Sequence, residues 1–331
     1  MTHVLRHVRR TFRHTLSSLV LGTLVTATSF SAQADTLRMG MVTPPSHIWN
    51  KVSERFNNNL QEATGGKTKI KVYPLSKLGG EQQMIDLLQS GGMQLAVLTA
   101  GVLSNREASI SGWFLPGLFD SVSDAAVATG KPQAQAMLKK LEAHKLVGLG
   151  YTLAGMRHVL STQPMGSVED FANKKIRSFP NSVFNDFWTD MGAAPTAMPL
   201  SGVSPALTTN LLNAVDVDLD VVVGLKMYQQ APYLTLTNHM AFPGVVVASQ
   251  KWWNGLGAQQ QQVVMAAFKD AESWGFQQQA EAEISNLALL KKEGVTVVDF
   301  DTATLVPVMD KVSDKYTSTN ADIKAFYTEN K

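Results

Sequence analysis

Strand-like and helix-like segments alternate at the start of the sequence, and this order limits the fold more than any other feature. The runs 36–42, 69–73 and 95–98 have the composition and alternation of β-strands. Between the first two runs, apolar residues recur at helical spacing at Trp49, Val52, Phe56 and Leu60. A β-α-β-α-β order favours a parallel sheet with helices on its faces, and therefore an α/β fold.

A long helical stripe near the C-terminus predicts that the fold has two parts. Residues 259–292 have the pattern of one helix that ends before Gly294 and carries Gly275 near its middle. A helix of about thirty residues is ~45–50 Å long, which exceeds the width of one small α/β unit. We therefore predict a fold like that of periplasmic binding proteins, with two α/β lobes, a ligand cleft between them and the long helix spanning both. Gly275 could mark a bend in this helix, or it could let a neighbouring strand approach closely.

The predicted limits of the lobes follow from the places where the strand and helix pattern restarts. Lobe 1 comprises residues 35–155, and residues of about 243–285 return to it. Lobe 2 comprises residues 156–242, and residues of about 286–331 pack on it or near it.

Residues 1–34 are expected to be a signal peptide and not part of the fold. Four arginines and no acidic residue precede an apolar run at 16–30, which is too short to span a bilayer well. The segment ends at Ala32-Gln-Ala34, a cleavage site of the small-x-small type. We therefore expect export, and a location in the bacterial periplasm.

The charge and cysteine content of residues 35–331 exclude several classes of function. Four of the 29 Lys and Arg residues lie in the first 34 positions, so 25 basic residues face 27 acidic ones and the net charge is −2. Such a chain has no basic excess with which to neutralise nucleic-acid phosphates. The sequence contains no cysteine, which excludes disulfides, thiolate nucleophiles and Cys-ligated zinc.

Arg177 is the first candidate for a ligand-binding residue. It ends a short strand-like run and is followed closely by the chain-reversing Phe-Pro-Asn at 179–181, which places a planar cation at the carboxyl end of a strand. Ligands of open α/β sheets bind at this end, and a guanidinium suits two parallel hydrogen bonds to a carboxylate. Arg157 is the second candidate. The alternatives are a surface salt bridge for Arg177 and a structural ion pair between the lobes for Arg157.

Three acidic residues, Asp216, Asp218 and Asp220, alternate with apolar residues further along the chain. In an extended run they share one face, where their charges repel one another unless a positive group lies among them. They could form a solvated or helix-capping face. Asp216 could instead pair with Arg177 or Arg157, accept a hydroxyl or amine of the ligand, or hold Ca²⁺ or Na⁺ beside the ligand carboxylate.

Ordered motifs across most of the chain make it similar to a known family. They include Leu37-Arg-Met-Gly40, Tyr73-Pro-Leu-Ser-Lys-Leu-Gly79, Gly155-Met-Arg157-His158, Ser167-Val-Glu-Asp-Phe-Ala-Asn-Lys-Lys-Ile-Arg177 and Gly192-Ala-Ala-Pro-Thr-Ala-Met198. With these motifs the chain resembles the DctP-type periplasmic substrate-binding proteins of tripartite ATP-independent periplasmic (TRAP) transporters.

The resemblance implies two lobes that close over an acidic ligand, with Arg177 clamping its carboxylate and Arg157 adding a contact, as in several members. Asp216 falls on an acid that is usual in the family, and Val217 falls on an Asn or Trp that touches the ligand. Leu200 falls on an aromatic residue of the sialic-acid-binding members, so sialic acid is not the expected ligand. The predicted ligand-binding residues are Arg177, Arg157, Asp216, Val217, Leu200 and Thr43.

The predicted function is that of a periplasmic receptor, which binds a small organic acid and delivers it to a TRAP permease. Its expected partners are that carboxylate and the membrane subunits of the permease, with no nucleic acid. The sequence shows no motif that combines a nucleophile with a base, so an enzyme is not expected. No cofactor is expected apart from the ion considered above. The alternatives are a receptor for an ABC importer and a periplasmic enzyme that acts on a carboxylate.

Overall fold

Two β-sheets with helices packed on them organise the protein. The computed structural model describes residues 35–331, and the predicted signal peptide, residues 1–34, lies outside the described residues. The strands are β1 (Asp35–Gly40), β2 (Thr68–Tyr73), β3 (Leu95–Thr99), β4 (Leu146–Met156), β5 (His158–Ser161), β6 (Lys175–Ser178), β7 (Ala194–Ala197), β8 (Ala214–Val217), β9 (Tyr233–Thr235), β10 (Ala241–Ser249) and β11 (Thr296–Val298). The α-helices are α1 (Ile48–Ala63), α2 (Glu81–Ser90), α3 (Ala100–Leu103), α4 (Val122–Thr129), α5 (Pro132–Lys140), α6 (Ser182–Asp190), α7 (Val203–Thr208), α8 (Leu219–Gly224), α9 (Gln250–Asn254), α10 (Ala258–Lys292), α11 (Val306–Thr319) and α12 (Ala321–Asn330).

The first sheet contains the predicted β-α-β-α-β unit. Its strand order is β2-β1-β3-β10-β4, in which β1 runs parallel to β2 and β3, while β10 runs antiparallel to β3 and β4. The helical stripe predicted between the first two strands is the buried face of α1. Burial of the large side chains in this stripe stabilises the helix against the sheet.

The second sheet has the order β11-β9-β5-β8-β6-β7, with β6 parallel to β7 and β8. The chain enters it from the first sheet at Arg157, between β4 and β5, and returns through residues 236–240. These two crossing segments are hydrogen-bonded to each other. The N–H of Arg157 donates to the carbonyl of Met240 at 2.7 Å, and the N–H of His239 donates to the carbonyl of Arg157 at 3.3 Å. Arg157 therefore lies at the junction of the two sheets.

The predicted long helix is confirmed as α10, a single helix of 35 residues. It packs against α1 and β4 beside the first sheet, and against α8, which follows β8 of the second sheet. The α/β architecture with a long helix that contacts both parts is therefore as predicted. Within residues 35–331, no helix has both the length and the apolar composition that crossing a bilayer requires.

The last helix lies differently from the prediction that residues of about 286–331 pack on lobe 2 or near it. α11 contacts α6, which follows β6 of the second sheet, but α12 packs on residues 108–114 and on α5, beside the first sheet. Phe326 of α12 is fully buried, and its ring centroid lies 4.8 Å from that of Trp113. Because half of the residues of α12 are polar, the sequence pattern alone does not show which aromatic cluster its apolar residues complete.

Gly275 is buried where α10 crosses α1. A Cβ atom at this position would lie 2.4 Å from Cγ2 of Val52, well inside van der Waals contact. The glycine therefore allows two helices to approach closely. This contact supports the second of the two predicted explanations, with a helix in place of a strand.

We expect Gly275→Ala to lower the free energy of unfolding by about 1–3 kcal/mol, because the added methyl group pushes α1 and α10 apart. Adding Val52→Ala gives this methyl group space. The double variant should therefore lose less unfolding free energy than the sum of the losses in the two single variants. Ser273→Ala, at an exposed position of the same helix, is the control and should change stability by less than about 0.5 kcal/mol. Urea unfolding measures each value, and fully additive losses would contradict the close-approach explanation.

Candidate functional site

Six parallel strands, three from each sheet, end at one cavity of about 600 Å³. Strands β1, β2 and β3 meet it from the first sheet, and β6, β7 and β8 meet it from the second. This is the edge at which open α/β sheets bind ligands. Lining residues at or near the ends of these six strands include Thr43, Ser76, Thr99, Arg177, Leu200 and Val217.

Arg177 is a buried cation that forms no direct ion pair with a carboxylate of the described residues. It lies in β6, lines the cavity, and is 3% exposed. Its Nε donates to the carbonyl of Met198 at 3.1 Å, and its guanidinium carbon lies 4.0 Å from the ring centroid of Phe179. Among residues 35–331, no carboxylate forms an ion pair with Arg177, and its two terminal nitrogens make no hydrogen bond. Burial and the nearby charge of Arg157 lower the pKa of Arg177 to about 9, although the more distant carboxylates of Asp216, Glu81 and Asp218 act in the opposite direction.

Arg157 also lines the cavity, but two carboxylates already balance its charge. Its Nε lies 2.5 Å from Oδ1 of Asp216, and its Nη1 lies 3.0 Å from Oδ2 of Asp218. Its Nη2 donates to the main-chain carbonyl of Asp216. The ring centroid of Phe242 is 4.4 Å from the guanidinium carbon. Arg157 is therefore in a structural ion pair, as the predicted alternative had it, but all three residues lie within residues 156–242, so the pair does not join the two predicted lobes.

Asp216 was predicted to contact the ligand, but the structure places it behind Arg157 and outside the cavity lining. Its second oxygen, Oδ2, accepts hydrogen bonds from Nε1 of Trp188 at 2.9 Å and from Nε2 of His239 at 3.2 Å. Burial alone would raise the pKa of Asp216, but Arg157 and His239 outweigh it and hold the pKa well below its ordinary value. Asp216 is therefore an ionised structural partner of Arg157.

The positions of the carboxylates also bear on the metal that was considered for Asp216. Three hydrogen bonds already occupy most of the acceptor positions on its side chain. Across the described part of the chain, no group of three or more His, Asp or Glu side chains is arranged to hold a metal ion. The geometry gives an ion at Asp216 no support.

The three acidic residues do not share one face of an extended run, because the chain turns into a helix after β8. Asp218 caps α8 by accepting the N–H of Val221 at 2.8 Å, and Asp220 lies inside that helix. Oδ2 of Asp220 accepts the N–H of Ile48, the first residue of α1, at 2.7 Å. Nε2 of His47 lies 3.6 Å from Oδ1 of Asp218. The positive groups that keep these acids close are therefore Arg157 and the N-terminus of α1.

Three other predicted residues, Val217, Leu200 and Thr43, line the cavity. Val217 is the last residue of β8 and is 1% exposed, and Leu200 follows β7 and is partly exposed. The hydroxyl oxygen of Thr43 accepts a hydrogen bond from Nδ2 of Asn50 at 3.2 Å. Five of the six predicted ligand-binding residues therefore border one space, and Asp216 is the exception.

Several cavity residues were not identified from the sequence. Glu81 at the start of α2 accepts the N–H of Thr99 at 2.6 Å and its hydroxyl at 3.1 Å. Burial raises the pKa of Glu81. The ring of Phe179 lies against both arginines and that of Phe242 against Arg157, and the two ring centroids are 4.5 Å apart. Glu81 lies just after the loop that follows β2, a position that the strand-end rule could have indicated. Phe242 has no comparable signal, since it reaches the site from an antiparallel strand.

Comparison with known proteins gives a consistent picture. A family model described as DctP, bacterial extracellular solute-binding protein, family 7, matches residues 39–322. The 2,3-diketo-L-gulonate-binding periplasmic protein YiaO of Escherichia coli is 26% identical over 282 residues, which cover 85% of this chain and 86% of the relative.

Two solved structures illustrate the similarity of the fold. The sugar acid binding protein of Advenella mimigardefordensis, in complex with galactonate, has a TM-score of 0.85 and 26% identity, covering 90% of this chain and 97% of that one. A TRAP periplasmic solute-binding protein from Bordetella, with density interpreted as pantoate, has a TM-score of 0.84 and 26% identity, covering 88% of this chain and 98% of that one.

We expect Asp216→Asn to lower the free energy of unfolding by about 3–5 kcal/mol, because it leaves Arg157 buried with one partner fewer. Asp270→Asn is the control, because Asp270 forms an exposed pair with Arg55. It should change the free energy of unfolding by about 0–1 kcal/mol. Urea unfolding at neutral pH distinguishes the two variants. Similar small losses in both would show that the pair with Arg157 does not stabilise the fold.

The pH dependence of this loss provides a second check. The pKa of Asp216 is depressed in the folded state, so its stabilising contribution is fully present above its ordinary pKa of 3.8 and is lost as the pH falls below that value. The difference in unfolding free energy between wild type and Asp216→Asn should therefore shrink on acidification below about pH 4.

Proposed function

The chain belongs to the DctP family of bacterial extracellular solute-binding proteins, and we propose that it is a periplasmic receptor that delivers a small organic acid to a TRAP permease. The observation that carries this proposal is that Arg177 lines the cavity with two terminal nitrogens that have no hydrogen-bond partner and no directly paired carboxylate. A buried cation without a direct partner is unfavourable, and a ligand carboxylate would supply that partner.

The geometry of Arg177 specifies the kind of group that would bind there. Its Nε is engaged by Met198, which fixes the plane of the guanidinium and leaves the two terminal nitrogens for the ligand. A carboxylate can accept from both nitrogens. Stacking on Phe179 further holds the guanidinium in place. The relatives named for galactonate, pantoate and 2,3-diketo-L-gulonate support a carboxylate as the shared feature of the ligand.

The proposal has three further parts. The receptor binds and releases its ligand unchanged, since the family consists of solute-binding proteins. Binding requires no cofactor. The location is the periplasm, which agrees with the names of the relatives, and the TRAP relative supports a TRAP permease over an ATP-driven importer. Incubation of the protein with a bound acid, followed by mass spectrometry of the acid, tests whether the acid is chemically changed. Measuring the affinity with and without a chelator tests whether binding needs a metal, and an unchanged affinity is expected.

Arg177→Lys should weaken binding of the acid by about 2–5 kcal/mol, because lysine keeps the charge but loses the two-pronged geometry. A thermal-shift screen of organic acids identifies a ligand, and calorimetry then compares the variants. Arg55→Lys is the matched control, since Arg55 pairs with Asp270 on the surface and does not line the cavity. An Arg177→Lys affinity within about threefold of wild type would remove Arg177 from this role.

Affinity should also fall at high pH. The pKa of Arg177 is about 9 in the empty site, and a bound carboxylate would raise it by favouring the charged form. Binding should therefore be insensitive to pH near neutrality and weaken by up to about tenfold per pH unit above about pH 9, with proton uptake. Calorimetry in two buffers of different ionisation enthalpy measures that uptake. A constant affinity up to about pH 10.5, with the protein still folded, would contradict a low pKa for Arg177.

A further inference from the structure

Two residues that line the cavity, His47 and Trp49, carry buried side-chain nitrogens without a partner. His47 immediately precedes α1 and Trp49 lies in its first turn, and both are almost fully buried. Within residues 35–331, neither Nε2 of His47 nor Nε1 of Trp49 makes a hydrogen bond. A buried polar group without a partner is unfavourable, so such groups in a cavity wall indicate what a ligand must supply.

The tautomer of His47 makes its free nitrogen a donor. Nδ1 accepts the main-chain N–H of Trp49 at 3.1 Å, which requires that Nδ1 carry no proton. The ring proton is therefore on Nε2. This nitrogen lies 3.6 Å from Oδ1 of Asp218 and 4.0 Å from Oδ2 of Asp220, and both distances are too long for a hydrogen bond. Because Nε1 of an indole is always a donor, both free groups need an acceptor.

Packing prevents either ring from turning toward another partner. The N–H of Trp49 holds the imidazole of His47, and the two rings meet edge to face with centroids 5.3 Å apart. The indole lies on Gly244 of β10, where a Cβ atom would come 2.6 Å from Cζ2 of Trp49. The two donors are therefore fixed at the start of α1, which packs on the first sheet, whereas Arg177 reaches the cavity from β6 of the second sheet.

The charges nearby select among the groups that could accept from these donors. An ammonium group has no lone pair and cannot accept a hydrogen bond. A second carboxylate could accept one, but it would lie beside the carboxylate of Asp218, which also lines the cavity. A hydroxyl or carbonyl oxygen accepts without adding a charge. An uncharged oxygen is therefore the group that suits this part of the wall.

We propose that His47 and Trp49 form a second polar subsite, which binds an uncharged oxygen of the ligand while Arg177 binds its carboxylate. This inference rests on the proposed function and narrows its substrate class to hydroxy and keto acids. The ligand then joins a cation of one sheet to two donors beside the other. An acid that lacks the oxygen leaves these donors unpaired in the filled cavity, so it binds at least about tenfold more weakly.

Acids of equal chain length that differ in one functional group test the subsite. The panel is hexanoate, its monohydroxy and monooxo derivatives, 6-aminohexanoate and adipate. Calorimetry with the wild-type protein should give at least one hydroxy or oxo acid an affinity at least about tenfold above that of hexanoate, and above those of 6-aminohexanoate and adipate. If any of these three binds as tightly as the best oxygenated acid, the subsite is overturned and the receptor function stands. Failure of every acid in this panel and in the thermal-shift screen to bind would overturn both.

Two substitutions assign the preference to the two residues. Trp49→Phe removes the indole N–H, and His47→Asn removes Nε2 but keeps a side-chain acceptor at the N-terminus of α1. In each variant, the ratio of the affinity for the best oxygenated acid to that for hexanoate should fall about tenfold. Trp113→Phe is the matched control, because Trp113 is also fully buried but does not line the cavity. It should leave the ratio unchanged.

The ratio separates a lost hydrogen bond from a damaged fold. A general loss of packing lowers the affinities for both acids together, whereas loss of a donor lowers only that for the oxygenated acid. Melting temperatures of the empty variants report folding independently. An unchanged ratio in folded Trp49→Phe or His47→Asn protein would contradict the assignment of that donor to the ligand.

Discussion

The ion pairs of Arg157 with Asp216 and Asp218 are the interaction on which the arrangement of the two sheets depends. Arg157 occupies the junction between β4 and β5, and its main chain is paired with the segment that leads back to the first sheet. Its side chain holds the end of β8 and the start of α8 together through the two carboxylates. A single buried residue thus connects both crossing segments to the strand end that borders the cavity. Buried ion pairs of this kind are poor sources of stability but strong determinants of geometry when every partner is satisfied.

The satisfied state of Arg157 explains why the two cavity arginines differ. Asp216 is held ionised by Arg157 and by His239, and because its oxygens are acceptors only, Nε2 of His239 must carry the proton. The hydroxyl of Thr237 can then donate to Nδ1 of the same ring, 2.7 Å away. Arg157, Asp216, His239 and Thr237 thus form one network in which each side chain has a partner. Arg177 lies outside it and keeps its terminal nitrogens without partners, and this difference in pairing directs an anion to Arg177 rather than to Arg157.

The sequence predicted the features that depend on local periodicity and missed those that depend on pairing across the fold. The strand and helix order, the 35-residue helix and the position of Arg177 at a strand end all follow from patterns within short windows. The partners of Asp216 lie 59, 28 and 23 residues away, and several pairings were compatible with the sequence. Alternation of the acids suggested a common face, but the capping of α8 by Asp218 ends the extended run. Local pattern therefore identifies which elements meet, whereas burial and charge balance decide which side chains are left for a ligand.

The unpaired guanidinium of Arg177 has a consequence for the protein whenever its own ligand is scarce. A fixed positive charge inside a cavity of about 600 Å³ attracts any small anion that fits. Acetate, formate or sulfate from a buffer would compete for the same two nitrogens, so measured affinities depend on the counter-ions present. For the same reason, protein purified from cells can retain an endogenous acid through chromatography. Unfolding and refolding in a weakly coordinating buffer would then be needed before the intrinsic affinity of the receptor could be measured.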